Sequence, residues 1–201
     1  MSRALVVIDV QESFRQRPSW QAMANPQIAT QVGRLVDAAR TANDLVVWVW
    51  HTEPGSRTVF DPALGYVRPI DGLVPRDDEP QVVKTSVNAF TTTNLHQQLT
   101  QRGVRELVIC GIRTEQCCET TARVASDLGY DVTFVTDATT TSSIPHPDAP
   151  ADQSVADLLT DPRTLSADDI IERTERILAG REFATIATTD ELLGLVGAVA
   201  R

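Results

Sequence analysis

Nearly continuous apolar runs alternate with amphipathic segments along this chain. Ala4–Asp9 and Leu45–His51 are almost entirely apolar, which is typical of strands covered on both faces of a parallel sheet. Between them, Asn25-Pro26 predicts a helix start, with the asparagine as N-cap and the proline in the first turn. This helix carries one apolar stripe, formed by Ile28, Val32, Leu35, Val36 and Ala39.

The same alternation continues along the rest of the chain. Further predicted strands are Gln81–Lys84, Glu106–Cys110, Asp131–Thr136 and Phe183–Ala187. Further predicted helices are Thr92–Arg102, a helix from the turn at Gly111 to Gly129, Ala151–Leu159, Ala167–Ala179, and a last helix behind a capping box of Thr188 and Glu191. Residues 52–80 are rich in proline and glycine and predict a long irregular loop, and such loops are often functional.

This series of strands and helices predicts an α/β fold with a parallel sheet and helices on both of its faces. We therefore expect a three-layer α-β-α architecture of Rossmann type, with a mostly parallel sheet of about six strands. A length of 201 residues, 42% of them hydrophobic, suits a single domain over residues 1–201 with a sizeable core.

Composition excludes several classes of function. A net charge of −9 argues against nucleic acid or an anionic membrane surface as the main partner. The chain has no apolar run long enough for a membrane span and no signal-peptide pattern, so we expect a soluble, cytoplasmic protein. Three cysteines, two of them adjacent, make a poor disulfide framework and fit a reducing compartment.

Four chemically active segments lie at predicted strand ends. Asp9, His51 and Lys84 each close a strand, and the turn Gly111–Cys117 follows another. In open parallel sheets, ligands bind outside the carboxyl ends of the strands. Cys117 also lies in the first turn of a predicted helix, where unpaired N–H groups and the helix dipole favour negative charge on a thiol. The topology therefore predicts a site at this rim.

These segments also resemble a known family. Ile8-Asp-Val-Gln11 with Phe14, Val83-Lys-Thr85 with Ala89-Phe90, and Gly111-Ile-Arg-Thr-Glu-Gln-Cys117 are similar to the isochorismatase-like cysteine hydrolases, which include nicotinamidases, N-carbamoylsarcosine amidohydrolase and ureide hydrolases. Gly129-Tyr-Asp-Val and Thr136-Asp-Ala138 match as well, so the resemblance covers roughly the first 140 residues. Of the remaining third, the segment from Arg173 to Arg181 resembles some bacterial members.

The resemblance implies a catalytic triad and a mechanism. Cys117 would attack an amide or ureide carbonyl and form a thioester, with Asp9 moving protons and Lys84 stabilising charge and geometry. The family also implies a cis peptide bond between Ile112 and Arg113. That bond would aim the backbone N–H groups of Arg113 and Cys117 at an oxyanion.

No metal and no other cofactor is expected. Metal-containing nicotinamidases use an Asp-x-His pattern at the strand end that His51 occupies here, but Val49 stands at the Asp position and Arg57 where a further ligand would fall. The chain has three histidines in all, too few to complete a zinc or iron site near His51. His51 then remains as a hydrogen-bonding or substrate-contacting group, and Phe14 and Trp50 are further candidates for the pocket wall.

We therefore expect a metal-free amidohydrolase that acts on a small amide or ureide and forms a homo-oligomer, either a dimer or a tetramer. Two alternatives stay open: an isochorismatase-type vinyl-ether hydrolase, which does not use a cysteine nucleophile, and a non-catalytic binding member of the fold. We expect Cys110 and Cys118 to be small hydrophobic residues buried in the core. Arg57 or Arg113 is a candidate for binding a substrate carboxylate, and the sequence does not identify the substrate.

Overall fold

Six parallel strands form one sheet in a computed structural model that describes residues 2–194. The strands are β1 (Ser2–Ile8), β2 (Leu45–His51), β3 (Gln81–Lys84), β4 (Val104–Ile112), β5 (Asp131–Thr140) and β6 (Thr185–Ala187). Their order across the sheet is β3-β2-β1-β4-β5-β6, and every neighbouring pair is parallel. The predicted α/β architecture is confirmed.

Helices cover both faces of the sheet and complete the three layers. Seven α-helices lie within residues 2–194: α1 (Glu12–Arg15), α2 (Ile28–Thr41), α3 (Leu95–Gln101), α4 (Glu119–Asp127), α5 (Val155–Thr160), α6 (Ala167–Gly180) and α7 (Thr189–Leu192). One core cluster joins α2 to the sheet through the predicted stripe, which includes Ile28, Val32 and Leu35. The opposite cluster joins α3, α4 and α6 through Leu99, Ala122 and Leu178. Within residues 2–194, no helix is long and apolar enough to cross a membrane.

Helices α2, α3 and α5 begin later in the chain than the sequence predicts; α5 starts at Val155 behind an N-cap at Ser154, and side-chain hydrogen bonds explain the other two. Asn25 does not cap α2, because its side-chain oxygen accepts from the Gln27 N–H while its amide nitrogen donates to the Asp137 carbonyl on β5. The helix therefore starts at Ile28. Thr92 precedes α3, because its hydroxyl accepts from the backbone N–H groups of Thr85 and Ser86 in the loop after β3. Both side chains bind another segment instead of starting a helix.

Strand ends also differ from the prediction in ways that reach the rim. β4 extends two residues beyond Cys110 and β5 four residues beyond Thr136, so both strands continue to the carboxyl edge. The capping box of Thr188 and Glu191 is present at α7, as predicted. Residues 52–80 form an irregular loop with one short 3-10 helix, Pro62–Leu64.

The long loop is fixed against the start of the chain. Backbone N–H groups of Glu12 and Ser13 donate to carbonyls of Arg68 and Tyr66, at 2.9 and 3.0 Å. Buried side chains anchor the loop to the α2 face of the sheet, namely Phe60, Ile70 and Leu73. The loop therefore forms a wall beside the carboxyl ends of β1 and β2.

Candidate active site

Asp9 follows β1 directly and is fully buried. Its backbone has a φ of 54°, a left-handed conformation that is uncommon for a residue with a side chain. The Asp9 N–H still donates to the Val49 carbonyl on β2, at 2.9 Å, which fixes the residue at the sheet edge. Strained backbone of this kind is found where the surrounding structure holds a side chain in one place.

Lys84 closes β3 and is as deeply buried as Asp9. Its ammonium group lies 2.8 Å from Asp9 Oδ2 and 3.3 Å from Cys117 Sγ, and it donates to the Ser86 carbonyl at 3.1 Å. The pairing of His51 with Lys84 across β2 and β3 places both at the same rim. Three side chains that are far apart in sequence therefore meet around one ammonium group.

Cys117 lies in a single π-helical turn, Thr114–Cys118, between β4 and α4. The turn is marked by a hydrogen bond from the Cys118 N–H to the Arg113 carbonyl, at 3.1 Å, and it follows a cis peptide bond between Ile112 and Arg113. Such turns are rare and occur frequently at functional sites. Cys117 is 8% exposed, whereas Cys118 in the same turn is fully buried.

A glycine is required at the entry to this turn. Gly111 has a φ of 137°, and a Cβ built on it would lie 2.0 Å from the carbonyl oxygen of Ile8 on β1. Ile8 and Gly111 are paired in the sheet, and Asp9 follows Ile8. The absent side chain therefore lets the backbone that leads to Cys117 approach the backbone that leads to Asp9.

Burial determines the direction of the pKa shifts of Asp9 and Cys117, whereas neighbouring charges determine that of Lys84. It raises the pKa of Asp9 above 3.8, and the positive charge of Lys84 opposes the increase without cancelling it. Burial and the nearby charge of Asp9 raise the pKa of Cys117 to about 12, with Lys84 again acting in the opposite direction. Burial lowers the pKa of Lys84, but the negative charges of Asp9 and Cys117 outweigh it, and the net pKa is raised.

Cys117 is therefore a thiol at rest. A helix N-terminus favours a thiolate at this position, but the effect of burial on the pKa is larger. Lys84 is an ammonium ion, and Asp9 is the group positioned to exchange a proton with the sulfur. Asp9 Oδ2 forms an ion pair with the Lys84 ammonium at 2.8 Å, and the Asp9 carboxylate also interacts with the Cys117 side chain.

The predicted pocket residues separate into two groups. Phe14 and His51 both contact Phe60, with ring centroids 5.0 and 5.4 Å apart, and the Nδ1 atom of His51 lies 3.4 Å from Lys84 Nζ. Burial and the charge of Lys84 lower the pKa of His51, which is therefore neutral at pH 7. These three rings form an aromatic wall next to Lys84.

Trp50 does not belong to this wall. Its ring stacks on Trp48 at 5.8 Å, and its indole N–H donates to the side chain of Gln81 at 3.0 Å. Trp50 belongs to the core cluster on the α2 face of the sheet, which also holds Phe14 and Phe60, whereas the next residue, His51, points to the other face of its strand. The contacts of Trp50 are those of a core residue, and the predicted pocket role has no support in them.

The sequence pattern did not indicate what the side chains of Arg113 and Phe60 contact. The Arg113 guanidinium donates to the hydroxyl of Ser142 at 2.8 Å and lies 6.0 Å from the centroid of the Phe14 ring. Phe60 comes from the irregular loop, where no periodicity indicates which side chains are buried. Arg57, the other candidate for a substrate carboxylate, is an exposed loop residue with a φ of 59°.

The remaining cysteines are packed in the core. Cys110 and Cys118 are fully buried, and burial raises the pKa of both thiols above that of an ordinary cysteine. All three cysteines have free thiols. Among residues 2–194, no group of three or more histidine, cysteine, aspartate or glutamate side chains is arranged to hold a metal ion. Around His51 the donor set is unfavourable for a cation, because the nearest charged group is the Lys84 ammonium.

Comparison with known proteins identifies this arrangement. The family model for the isochorismatase domain matches residues 3–174. This chain belongs to the isochorismatase family. A cysteine hydrolase of this fold from Pseudomonas syringae pv. phaseolicola superposes with a TM-score of 0.79 and 26% identity, covering 96% of this chain and 91% of that one.

Two plant relatives show the range of activity in the family. Nicotinamidase 3 of Arabidopsis thaliana is 35% identical over 152 residues, which cover 69% of this chain and 73% of that protein. A second Arabidopsis protein, named as a probable inactive nicotinamidase, is 36% identical over 155 residues, which cover 68% of this chain and 79% of that protein. Membership of the isochorismatase family therefore identifies this chain with a hydrolase fold, but whether the chain is active depends on its own residues.

Proposed function

We propose that this chain is a metal-independent cysteine hydrolase that cleaves the C–N bond of a small amide or ureide. The observation that carries the proposal is the position of the Lys84 ammonium, 2.8 Å from Asp9 Oδ2 and 3.3 Å from Cys117 Sγ, with all three side chains buried. An acid–base group, a cation and a nucleophile in contact are the parts that covalent hydrolysis needs.

The first half-reaction forms a thioester. Asp9 takes the proton of the Cys117 thiol as the sulfur attacks the carbonyl carbon, and the electron pair of the C=O bond moves to the oxygen. Backbone N–H groups of Arg113 and Cys117 are the proposed donors to that oxyanion, and one such donor contributes about 3 kcal/mol of transition-state stabilisation. The C–N bond then breaks, and Asp9 passes its proton to the departing nitrogen.

The second half-reaction restores the enzyme. Asp9 takes a proton from a water molecule, whose oxygen attacks the thioester carbonyl and releases a carboxylic or carbamic acid. The sulfur leaves as Cys117 and regains a proton from Asp9. Lys84 stays an ammonium ion throughout and stabilises the negative charge that passes between the sulfur and the carboxylate. The raised pKa of Asp9 supports its double role, because a more basic carboxylate accepts a thiol proton more readily.

Metal independence is part of the proposal and is argued from the donors present. His51 Nδ1 faces the Lys84 ammonium, and its Nε2 atom lies 3.5 Å from a carboxylate oxygen of Glu53. Among the described residues, this imidazole and this carboxylate do not belong to any group of three or more side chains that could hold a metal ion. A zinc ion takes three or four such ligands.

A screen of small primary amides and ureides for ammonia release tests the proposal. Wild-type protein is expected to release ammonia from at least one of them, and Cys117→Ser and Asp9→Asn are expected to lose about a hundredfold or more in rate. With a rapidly quenched sample, mass spectrometry should detect an acyl group on Cys117. Turnover that survives in Cys117→Ser would contradict the thioester and favour a mechanism without a cysteine nucleophile.

A further inference from the structure

Two guanidinium groups lie over adjoining aromatic rings beside the proposed active site. Arg113 Cζ lies 6.0 Å from the centroid of the Phe14 ring, and Arg17 Cζ lies 5.9 Å from the centroid of the Phe60 ring. The two rings are themselves in edge contact, with centroids 5.0 Å apart. Both cations therefore lie against one continuous aromatic surface, which is next to His51 and Lys84.

Neither cation has a carboxylate partner. Within residues 2–194, Arg113 and Arg17 form no salt bridge, and Arg113 donates only to the hydroxyls of Ser142, at 2.8 Å, and Ser19, at 3.5 Å. Burial and the charge of Arg17 lower the pKa of Arg113, and Glu115 and Cys117 act in the opposite direction. Most arginines of the described chain are paired with carboxylates, namely Arg3, Arg15, Arg34, Arg40, Arg68, Arg123, Arg163, Arg173 and Arg176.

The Phe60 end of the aromatic surface borders a cavity of about 420 Å³, with Arg17, Phe60 and Glu53 in its wall. Cavities of this size accommodate small molecules. The Glu53 carboxylate accepts from Thr58 Oγ1 at 2.7 Å and faces His51, so a second carboxylate in the cavity is repelled from the Glu53 side. Arg113 lies over Phe14, at the other end of the aromatic surface, and it is the residue from which the turn carrying Cys117 starts.

We propose that Arg113, assisted by Arg17, is a carboxylate-binding subsite, and that the substrate carries a carboxylate on the same small molecule as the scissile C–N bond. This inference rests on the proposed function and adds the substrate class. Guanidinium groups bind carboxylates through paired, charge-assisted hydrogen bonds, which fix orientation as well as adding affinity. Arg113 begins the turn that ends at Cys117, so a carboxylate bound to its side chain orients the carbonyl group for attack.

Calorimetric binding to a Cys117→Ala variant tests the subsite without catalysis. The probes are the monoamides of oxalic, malonic, succinic and glutaric acid, each compared with its uncharged diamide. At least one monoamide anion is expected to bind about tenfold or more tightly than its diamide. Adding Arg113→Gln should abolish that preference, Arg113→Lys should restore part of it, and Arg17→Gln should weaken it. Arg105→Gln removes the same charge from the exposed start of β4 and should leave the preference unchanged.

The outcomes separate this inference from the proposed function. If no monoamide in the series binds more tightly than its diamide, or if the preference survives Arg113→Gln, the subsite assignment is wrong. The thioester mechanism is tested independently by the ammonia screen and by Cys117→Ser in the otherwise unchanged protein. Circular dichroism of each variant shows whether a loss of binding reflects unfolding, and the partial recovery in Arg113→Lys would be absent if Arg113 were only structural.

Discussion

Lys84 Nζ lies 3.3 Å from Cys117 Sγ, and both side chains are buried. Lys84 ends the edge strand of the sheet, and Cys117 lies in a turn behind β4, with β2 and β1 between the two strands. The contact therefore spans the sheet at its carboxyl edge. The same ammonium group forms a buried ion pair with Asp9, and this ion pair is expected to contribute to the stability of the fold.

Removal of Lys84 should destabilise the protein through Asp9. In Lys84→Met the Asp9 carboxylate stays buried without its cation, and we expect the free energy of unfolding to fall by about 3 kcal/mol. In the double variant Asp9→Asn with Lys84→Met, no unpaired charge is left, so the loss should be clearly smaller than the sum of the two single losses. Urea unfolding of the four proteins measures this coupling. Additive losses would contradict a direct interaction between the two residues.

The pH dependence of kcat/KM should have a single acid limb. Asp9 must be ionised to accept the thiol proton, so activity rises as Asp9 loses its proton, and its raised pKa moves the midpoint above the usual 3.8. The pKa of Cys117 is raised to about 12, so the thiol stays protonated over the measured range. No alkaline transition is therefore expected near the ordinary thiol pKa of about 8.5. Steady-state rates from pH 4 to 10 check the acid limb and the expected absence of an alkaline one. A transition near 8.5 would indicate a solvated thiol.

Gly111→Ala should be poorly tolerated. Its added methyl group would lie 2.0 Å from the Ile8 carbonyl oxygen, and φ is 137°, so both sterics and backbone conformation oppose the change. We expect a loss of about 3 kcal/mol or more in the free energy of unfolding. Gly103→Ala is the matched control, because Gly103 also has a positive φ, 68°, but has open space around its Cα, and about 1 kcal/mol is expected there. Equal losses would show that φ alone matters.

Glu119 should stabilise the helix that follows Cys117. Its buried carboxylate accepts from Arg123 at 2.8 Å and Thr174 at 3.1 Å, and it pairs with Arg173, so it joins α4 to α6. Glu119→Gln is expected to cost about 2 kcal/mol of unfolding free energy, measured by urea denaturation.

Glu172→Gln provides the control for that experiment. Glu172 is paired with Arg176 on the exposed surface of α6, where an ion pair contributes little. Its loss should stay within about 0.5 kcal/mol of wild type. If Glu119→Gln lowers the free energy of unfolding no more than Glu172→Gln does, the contacts of Glu119 with Arg173 and Thr174 on α6 do not stabilise the helix that follows Cys117.

The strand-end residues could be predicted because topology places them. A parallel sheet brings the ends of consecutive strands to one edge, so Asp9, Lys84 and Cys117 follow from three apolar runs and the family resemblance. Phe60 and Arg17 could not be predicted in the same way, because irregular segments have no periodicity from which burial can be inferred. Trp50 could not be assigned from the sequence either, because the alternation along a strand does not show which buried aromatic residues face a ligand and which pack only in the core.

The charge state of Cys117 could not be predicted either. Position at a helix start is visible in the sequence, but the opposing effect, burial among the packed side chains of β1, β3 and β4, depends on the folded structure. The same holds for Asn25 and Thr92. Asn25 forms a side-chain hydrogen bond with β5 and Thr92 with the loop after β3, and neither starts a helix. In each case a tertiary contact outweighed a local preference.

The most direct test of the account is the site and rate of alkylation by iodoacetamide between pH 5 and 9, followed by mass spectrometry. Cys117, which is 8% exposed and next to Asp9 and Lys84, should be modified selectively over the fully buried Cys110 and Cys118. Lys84→Ala removes the charge that favours the thiolate and should slow that modification about tenfold or more, and Asp9→Asn, which removes a charge that opposes the thiolate, should change its pH profile. If Cys117 reacts no faster than Cys110 and Cys118 at any pH, and neither variant changes its rate, Cys117 is not the nucleophile and the chain is better explained as a non-catalytic member of its family.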